Sequence, residues 1–235
     1  MVRLLRTLAA LAVIPLGLAA GLGRWLTTRD RREAIDRTIA VWGDWGTRAA
    51  GIALQVEGAR YLHEVRPAVF LLNHQSGVDP ILVCALLRGG FTAVAKREIQ
   101  RNPVLGPAFA FVGVAFVDRS DTARAIAALA PALEALRDGL SLVVAPEGTR
   151  SPGTPVGRFK KGAFHIAMAA GAPIVPLCIH NARDVLPRGG WLMRAARIRV
   201  EVLPPIPTLD WKHEQLDERI AEVRALYLER LGAAR

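Results

Sequence analysis

The residues best suited to chemistry stand at the ends of apolar runs. Val69-Phe70-Leu71-Leu72 leads straight into Asn73-His74-Gln75-Ser76-Gly77-Val78-Asp79-Pro80. A histidine just past a strand end sits where α/β folds place their sites. Imidazole takes up and returns a proton near neutral pH, which suits a general base. Asp79 follows five residues later, ahead of an apolar stretch. There it caps a helix, or it accepts from one nitrogen of His74 and leaves the other as the base. Taken alone, this spacing describes a capped turn as readily as a proton-transfer pair.

A second apolar run, Leu142 to Ala145, ends in Pro146-Glu147-Gly148-Thr149-Arg150-Ser151. Arg150 offers a planar fork to a phosphate, Thr149 a hydroxyl, and the loop backbone further N–H groups. Arg158, Lys160 and Lys161 add positive charge nearby. The plainer alternative is an ion pair between Glu147 and Arg150. A third run, Gly113 to Val117, leads to Asp118-Arg119. Arg119 is a second phosphate candidate, with a salt bridge to Asp118 or Asp121 as its alternative. Pro173-Ile174-Val175-Pro176 shapes a strand and carries no chemistry. No G-x-S-x-G nucleophile and no cluster with metal-ligand spacing occurs, which counts against a hydrolase. Ser76 reads as a loop residue.

The elements that must hold these loops follow from periodicity. Strands are expected at 69–72, 92–95, 114–117, 142–145, 174–179 and 198–203. Helices are expected at 121–138, 161–170 and 213–231. Continuous apolar strands separated by helices predict an α/β fold with a mixed, partly parallel sheet covered by helices. Residues 7–23 carry no charge, a length at the short limit for a spanning helix. Pro15, Gly17, Gly21 and Gly23 predict a kink or re-entry there. A cleaved signal peptide is the competing reading. A helix is expected to run on through 29–53 without a turn, its apolar face formed by Ile35, Ile39, Trp42, Trp45, Ala49 and Ile52. The resulting partition is a membrane-associated helical segment, 1–53, and a catalytic domain, 54–235.

The 235 residues include 51% hydrophobic and 22% charged side chains, enough apolar content for a packed core. A formal net charge of +10 points to an anionic lipid surface or a phosphorylated substrate. With 6% aromatic residues and no finger motif, nucleic acid fits worst and is not expected as a partner. Cys84 and Cys178 lie in apolar surroundings and read as two buried thiols in a reducing compartment. The stretch 183–199 holds five arginines, one acid and Trp191, a basic face or a contact for anionic head groups.

In order and spacing these blocks resemble the glycerolipid acyltransferases of the 1-acylglycerol-3-phosphate acyltransferase family. The resemblance covers about residues 54–205. It rests on His74 and Asp79 separated by four residues, on Gly113–Arg119, on Pro146–Arg150, and on Ala172–Pro176. The run Ala95-Lys96-Arg97-Glu98 adds to it. One departure is Ala145, where the family usually has phenylalanine, and that leaves the exact acceptor open.

The resemblance implies transfer of a fatty acyl group to the sn-2 hydroxyl of 1-acylglycerol-3-phosphate, giving phosphatidic acid. The donor is acyl-CoA or acyl carrier protein as co-substrate, with no other cofactor and no metal. It implies His74 as base and Asp79 as its support. Arg119, Glu147, Gly148, Thr149, Arg150 and Lys96 are implied for substrate binding. The implied partners are the lysophospholipid acceptor, the acyl donor and a lipid bilayer, with the enzyme on the cytoplasmic face of the inner membrane. Glycerol-3-phosphate, other lysophospholipids and lyso-ornithine lipids are alternative acceptors. A non-catalytic lipid-binding role is the alternative outside enzymology.

Overall fold

The structure is a computed structural model that describes residues 1–117, 130–151 and 156–232. Its seven strands are β1 (Ile52–Glu57), β2 (Val69–Leu72), β3 (Phe91–Lys96), β4 (Ala115–Val117), β5 (Ser141–Val144), β6 (Ile174–Ile179) and β7 (Ala196–Val202). They form a mixed sheet in the order β1-β7-β6-β2-β5-β3-β4. The expected α/β class is therefore observed. Strand β1 was not expected. It overlaps only the last two residues of the stretch read as helix, and Ile52-Ala53-Leu54-Gln55-Val56-Glu57 alternates in burial with the period of a half-covered strand.

The chain divides into two compact units. One unit comprises residues 57–74, 91–178 and 201–235, and the other residues 1–56, 75–90 and 179–200.

The first of these contains the parallel strands. β2 pairs with β5 (Val69 with Leu142, Leu71 with Val144) and with β6 (Val69 with Ile174). β3 pairs with β5 and with β4. All four residues of β2 are buried, as are the six of β6. Helices α5 (Ala130–Arg137), α6 (Gly162–Ala170) and α8 (Leu216–Gly232) pack against these strands. Their core faces include Leu136, Phe164, Ile220 and Tyr227, with Cys178 among them. Strands covered by apolar helix stripes need to be apolar on every residue, and this is why β2 and β6 read as unbroken runs. The fully buried Cys178 thiol is pushed up to about 12 by burial. Cys84, in the other unit, is half-buried rather than buried as expected, and burial also pushes its thiol up to about 12. Helix α4 (Leu105–Phe111) follows β3. The expected helix 121–138 is described only from Ala130; its start, like Arg119, lies outside the described residues.

The second unit is built on α1 (Val2–Thr28) and α2 (Arg31–Ala50), with α3 (Asp79–Leu87) and α7 (Ala182–Val185). The expected continuous run from 29 is broken at its start. Arg29 adopts a left-handed conformation (φ 57°), and Asp30 caps α2 by accepting from the N–H groups of Arg32 at 2.7 Å and Glu33 at 3.1 Å. Helix α1 is continuous through Pro15. The indole N–H of Trp42 on α2 donates to the Ile14 carbonyl at 3.0 Å. The glycines serve close approach instead. A Cβ on Gly17 would lie 2.2 Å from Trp42 Nε1, and one on Gly21 would lie 2.1 Å from Thr38 Oγ1 and 2.8 Å from the Ala34 carbonyl. Small residues four apart let two helix backbones meet. Gly21→Leu therefore overpacks the hairpin and costs about 1–3 kcal/mol. The expected result is a lower melting temperature in detergent, and an unchanged one would remove this role from Gly21.

Among the described residues, α1 alone is long and apolar enough to cross a membrane, with mean hydropathy 1.8 over its best window. Leu4, Leu5, Leu8, Leu11, Leu16 and Leu22 lie exposed along it.

Candidate active site

Parallel pairing of β2 with β5 brings the two polar loops to the same edge of the sheet. His74 follows β2 and Ala145–Ser151 follows β5, so adjacent strand ends deliver both blocks side by side, about 5 Å apart as neighbouring strands are. The His74 peptide is held on both sides by the second loop. Its N–H donates to Glu147 Oε1 at 3.0 Å, and its carbonyl accepts from the Ser151 N–H at 2.9 Å. The half-buried imbedding of His74 thus owes its backbone position to residues more than 70 places away in the chain.

Glu147 is 6% exposed and organises this edge. Its other oxygen, Oε2, accepts from the Gly157 N–H at 2.7 Å and from the Ser151 hydroxyl. These partners take the place of the ion pair with Arg150 considered as an alternative. A buried carboxylate is stable when its lone pairs are filled, and three donors from three chain segments fill them here. The segment carrying Gly157 is gripped in turn from α8. Arg224 Nε donates to the Gly157 carbonyl at 2.8 Å, and its Nη2 donates to the Val156 carbonyl at 3.2 Å. Three residues on, the buried Tyr227 hydroxyl donates to the Leu71 carbonyl of β2 at 2.6 Å. Burial pushes the Tyr227 hydroxyl well up, which keeps it a donor. Helix α8 thereby supports both the strand before His74 and the loop behind Glu147.

The turn after β5 needs its glycine. The Gly148 N–H closes onto the Ala145 carbonyl at 3.0 Å, and Gly148 has φ +72°. A Cβ there would also meet the Lys160 side chain, 3.1 Å from Nζ, so the Lys160 ammonium lies over this loop. Thr149 is exposed and Arg150 half-buried. Lys161, by contrast, is paired with Asp217 at 2.7 Å. Lys96 ends β3, the strand beside β5, and pairs with Glu98 at 2.7 Å. Along this edge the sheet therefore presents His74, then Glu147–Arg150, then Lys96.

Asp79 belongs to the other unit and is 1% exposed. It is the first residue of α3 rather than the cap before it. Its Oδ2 accepts from the N–H groups of Gln75 at 2.8 Å and Ser76 at 3.0 Å, the two residues that follow His74 in the chain. The Ser76 hydroxyl donates to the Leu186 carbonyl at 2.7 Å, which accords with its reading as a loop residue.

Sequence reasoning did not find Ser151, Gly157, Arg224 or Tyr227 as supports. The one signal available was a tyrosine on the apolar face Leu216-Ile220-Val223-Tyr227, since a buried hydroxyl needs a partner.

The site is thus a histidine loop and a cationic loop at adjacent ends of parallel strands in an α/β fold. The family model described as Acyltransferase matches residues 53–180, and the chain belongs to that family. It is 32% identical over 185 residues to the 1-acyl-sn-glycerol-3-phosphate acyltransferase of Limnanthes alba, covering 78% of this chain and 65% of that protein. To the Salmonella typhimurium protein of the same name it is 30% identical over 166 residues, covering 70% and 67%. The chain thus spans about two thirds of the length of these relatives. The crystal structure of the 1-acyl-sn-glycerophosphate acyltransferase from Thermotoga maritima shares the fold, with TM-score 0.79 and 23% identity over 99% of this chain and 97% of that one.

Proposed function

We propose that this chain transfers a fatty acyl group from acyl-CoA or acyl carrier protein to the sn-2 hydroxyl of 1-acylglycerol-3-phosphate, giving phosphatidic acid for phospholipid biosynthesis. The observation that carries this reading is the His74 peptide, held at both its N–H and its carbonyl by the Glu147–Ser151 loop. Such a hold keeps a base in place beside a cationic loop. The names of the similar proteins support the acceptor.

In the proposed reaction His74 takes the proton of the acceptor hydroxyl as its oxygen attacks the thioester carbonyl. The tetrahedral intermediate then collapses, the C–S bond breaks, and the imidazolium returns the proton to the leaving thiolate. Asp79 orients the histidine, and its carboxylate already gathers the amides of Gln75 and Ser76. Arg150, Thr149, the Gly148 backbone and Lys96 bind the phosphate, with Arg119 as a further arginine. Glu147 acts by holding the His74 loop, because a buried, saturated carboxylate repels phosphate. The bilayer is the proposed second partner, through α1, at the cytoplasmic face where the donor is made.

The test is product formation by purified protein in detergent. 1-Acylglycerol-3-phosphate, glycerol-3-phosphate and a lyso-ornithine lipid would each be offered with labelled acyl-CoA and acyl carrier protein. Phosphatidic acid from the first acceptor supports the reading. Faster transfer to another acceptor replaces the substrate, and binding without transfer to any acceptor leaves a lipid-binding protein. Arg150→Ala should raise the acceptor KM by roughly tenfold or more, the worth of a hydrogen bond to a charged group, with kcat less affected. Steady-state kinetics against acceptor concentration check this, and an unchanged KM would free Arg150 from the phosphate site.

A further inference from the structure

We infer that the turn Pro187–Leu192 is a second membrane-contact element, seated in the head-group boundary of an anionic bilayer beside the first turns of α1. The inference rests on the proposed membrane role of α1 and deepens it by fixing where one bilayer surface lies along that helix.

Backbone hydrogen bonds close the turn, and an apolar pair follows it. Gly190 N–H closes onto the Pro187 carbonyl at 2.9 Å, and Arg194 N–H onto the Val185 carbonyl at 2.8 Å. Between these ties Trp191 stands 87% exposed and Leu192 44% exposed. A closed turn that presents a tryptophan and a leucine to solvent exposes apolar area which water disfavours and a membrane interface favours. The next residue joins the turn to α1. Met193 N–H donates to Thr7 Oγ1 at 2.9 Å, while that hydroxyl donates to the Arg3 carbonyl at 3.0 Å. Thr7 is the first residue of the uncharged run 7–23, and Arg3 and Arg6 precede it. Met193, two residues after Trp191, therefore sits at the level where α1 changes from basic to apolar, the level at which tryptophan belts occur in membrane proteins.

Charge agrees with this placement. Arg188, Arg194 and Arg197 are exposed and form no ion pair among the described residues. Arginines around an apolar tip complement anionic head groups. Beyond Thr7 the exposed Leu8, Leu11, Leu16 and Leu22 continue the apolar surface away from this level.

The experiment labels Leu192→Cys with an environment-sensitive fluorophore in the full chain. Cys84 and Cys178 are replaced by alanine throughout, so that the label reports only the introduced thiol. Leu11→Cys on α1 and Leu209→Cys, 77% exposed in the other unit, are labelled in parallel. Each protein is reconstituted into vesicles containing anionic lipid, with quenchers placed near the head group or deep in the acyl chains. The expected result is loss of Leu192→Cys fluorescence with the shallow quencher, Leu11→Cys fluorescence lost with the deep one, and none lost at Leu209→Cys. Replacing Arg188, Arg194 and Arg197 by glutamine should weaken the shallow quenching at 192. If Leu11→Cys is quenched and Leu192→Cys is not, the turn is no membrane element although α1 is in the bilayer. If neither is quenched, the membrane role of α1 falls and the inference falls with it.

Discussion

His74→Ala should lower kcat by about 10²–10⁴-fold, the usual contribution of one general base, with small changes in either KM. The base acts on a proton that moves only as the carbonyl is attacked, so its loss is felt in the transition state rather than in binding. Alanine keeps the two backbone ties, the N–H to Glu147 and the carbonyl from the Ser151 N–H. The loop is therefore expected to stay folded in this variant. The measurement is product formation under saturating substrates together with a thermal melt. A variant that melts normally and transfers at full rate would exclude His74 as the base.

Glu147→Ala should damage both stability and rate. It removes the acceptor for the His74 N–H, the Gly157 N–H and the Ser151 hydroxyl in a buried setting. Each buried donor left unsatisfied costs about 1–3 kcal/mol, less where water enters the space. The His74 peptide then loses one of its two holds, and a shift of about 1 Å at a reacting group can cost on the order of 10² in rate. Glu147→Gln separates the two candidate roles. If the carboxylate positions the loop, the amide keeps its volume and one acceptor oxygen, so kcat falls by less than with alanine and the acceptor KM hardly moves. A selective change in acceptor KM with normal melting would instead put Glu147 against the substrate. Arg224, which grips the carbonyls of Val156 and Gly157, should show a weaker version of the alanine effect.

Much of the strand edge that carries the candidate site was legible because it is local. Val69–Leu72 is a short, fully apolar strand with a polar loop directly after it, and β2 has those bounds. The run Leu142–Val144 behaves the same way. Strand β1 was missed because Ile52 extends the apolar periodicity of the preceding helix, and the left-handed Gly51 that ends α2 is a single-residue signal. The hairpin was misread for a related reason. Glycines at 17 and 21 signal a break when a helix is considered alone, yet they are the contact surface once α2 lies against it.

The sequence by itself determined the order of strands and polar loops, the candidate base, the candidate phosphate-binding residues and the apolar N-terminal run. Each of these depends on residues close together in the chain, where period and side-chain type carry the information. Only the tertiary structure decided which groups of the chain Glu147 binds. From its neighbours it read as an ion-pair partner or a phosphate ligand, and its partners proved to be an amide 73 residues earlier, a hydroxyl four residues later and an amide ten residues later. A buried carboxylate takes whichever donors the packed chain brings within reach, and strand pairing rather than local sequence sets that choice.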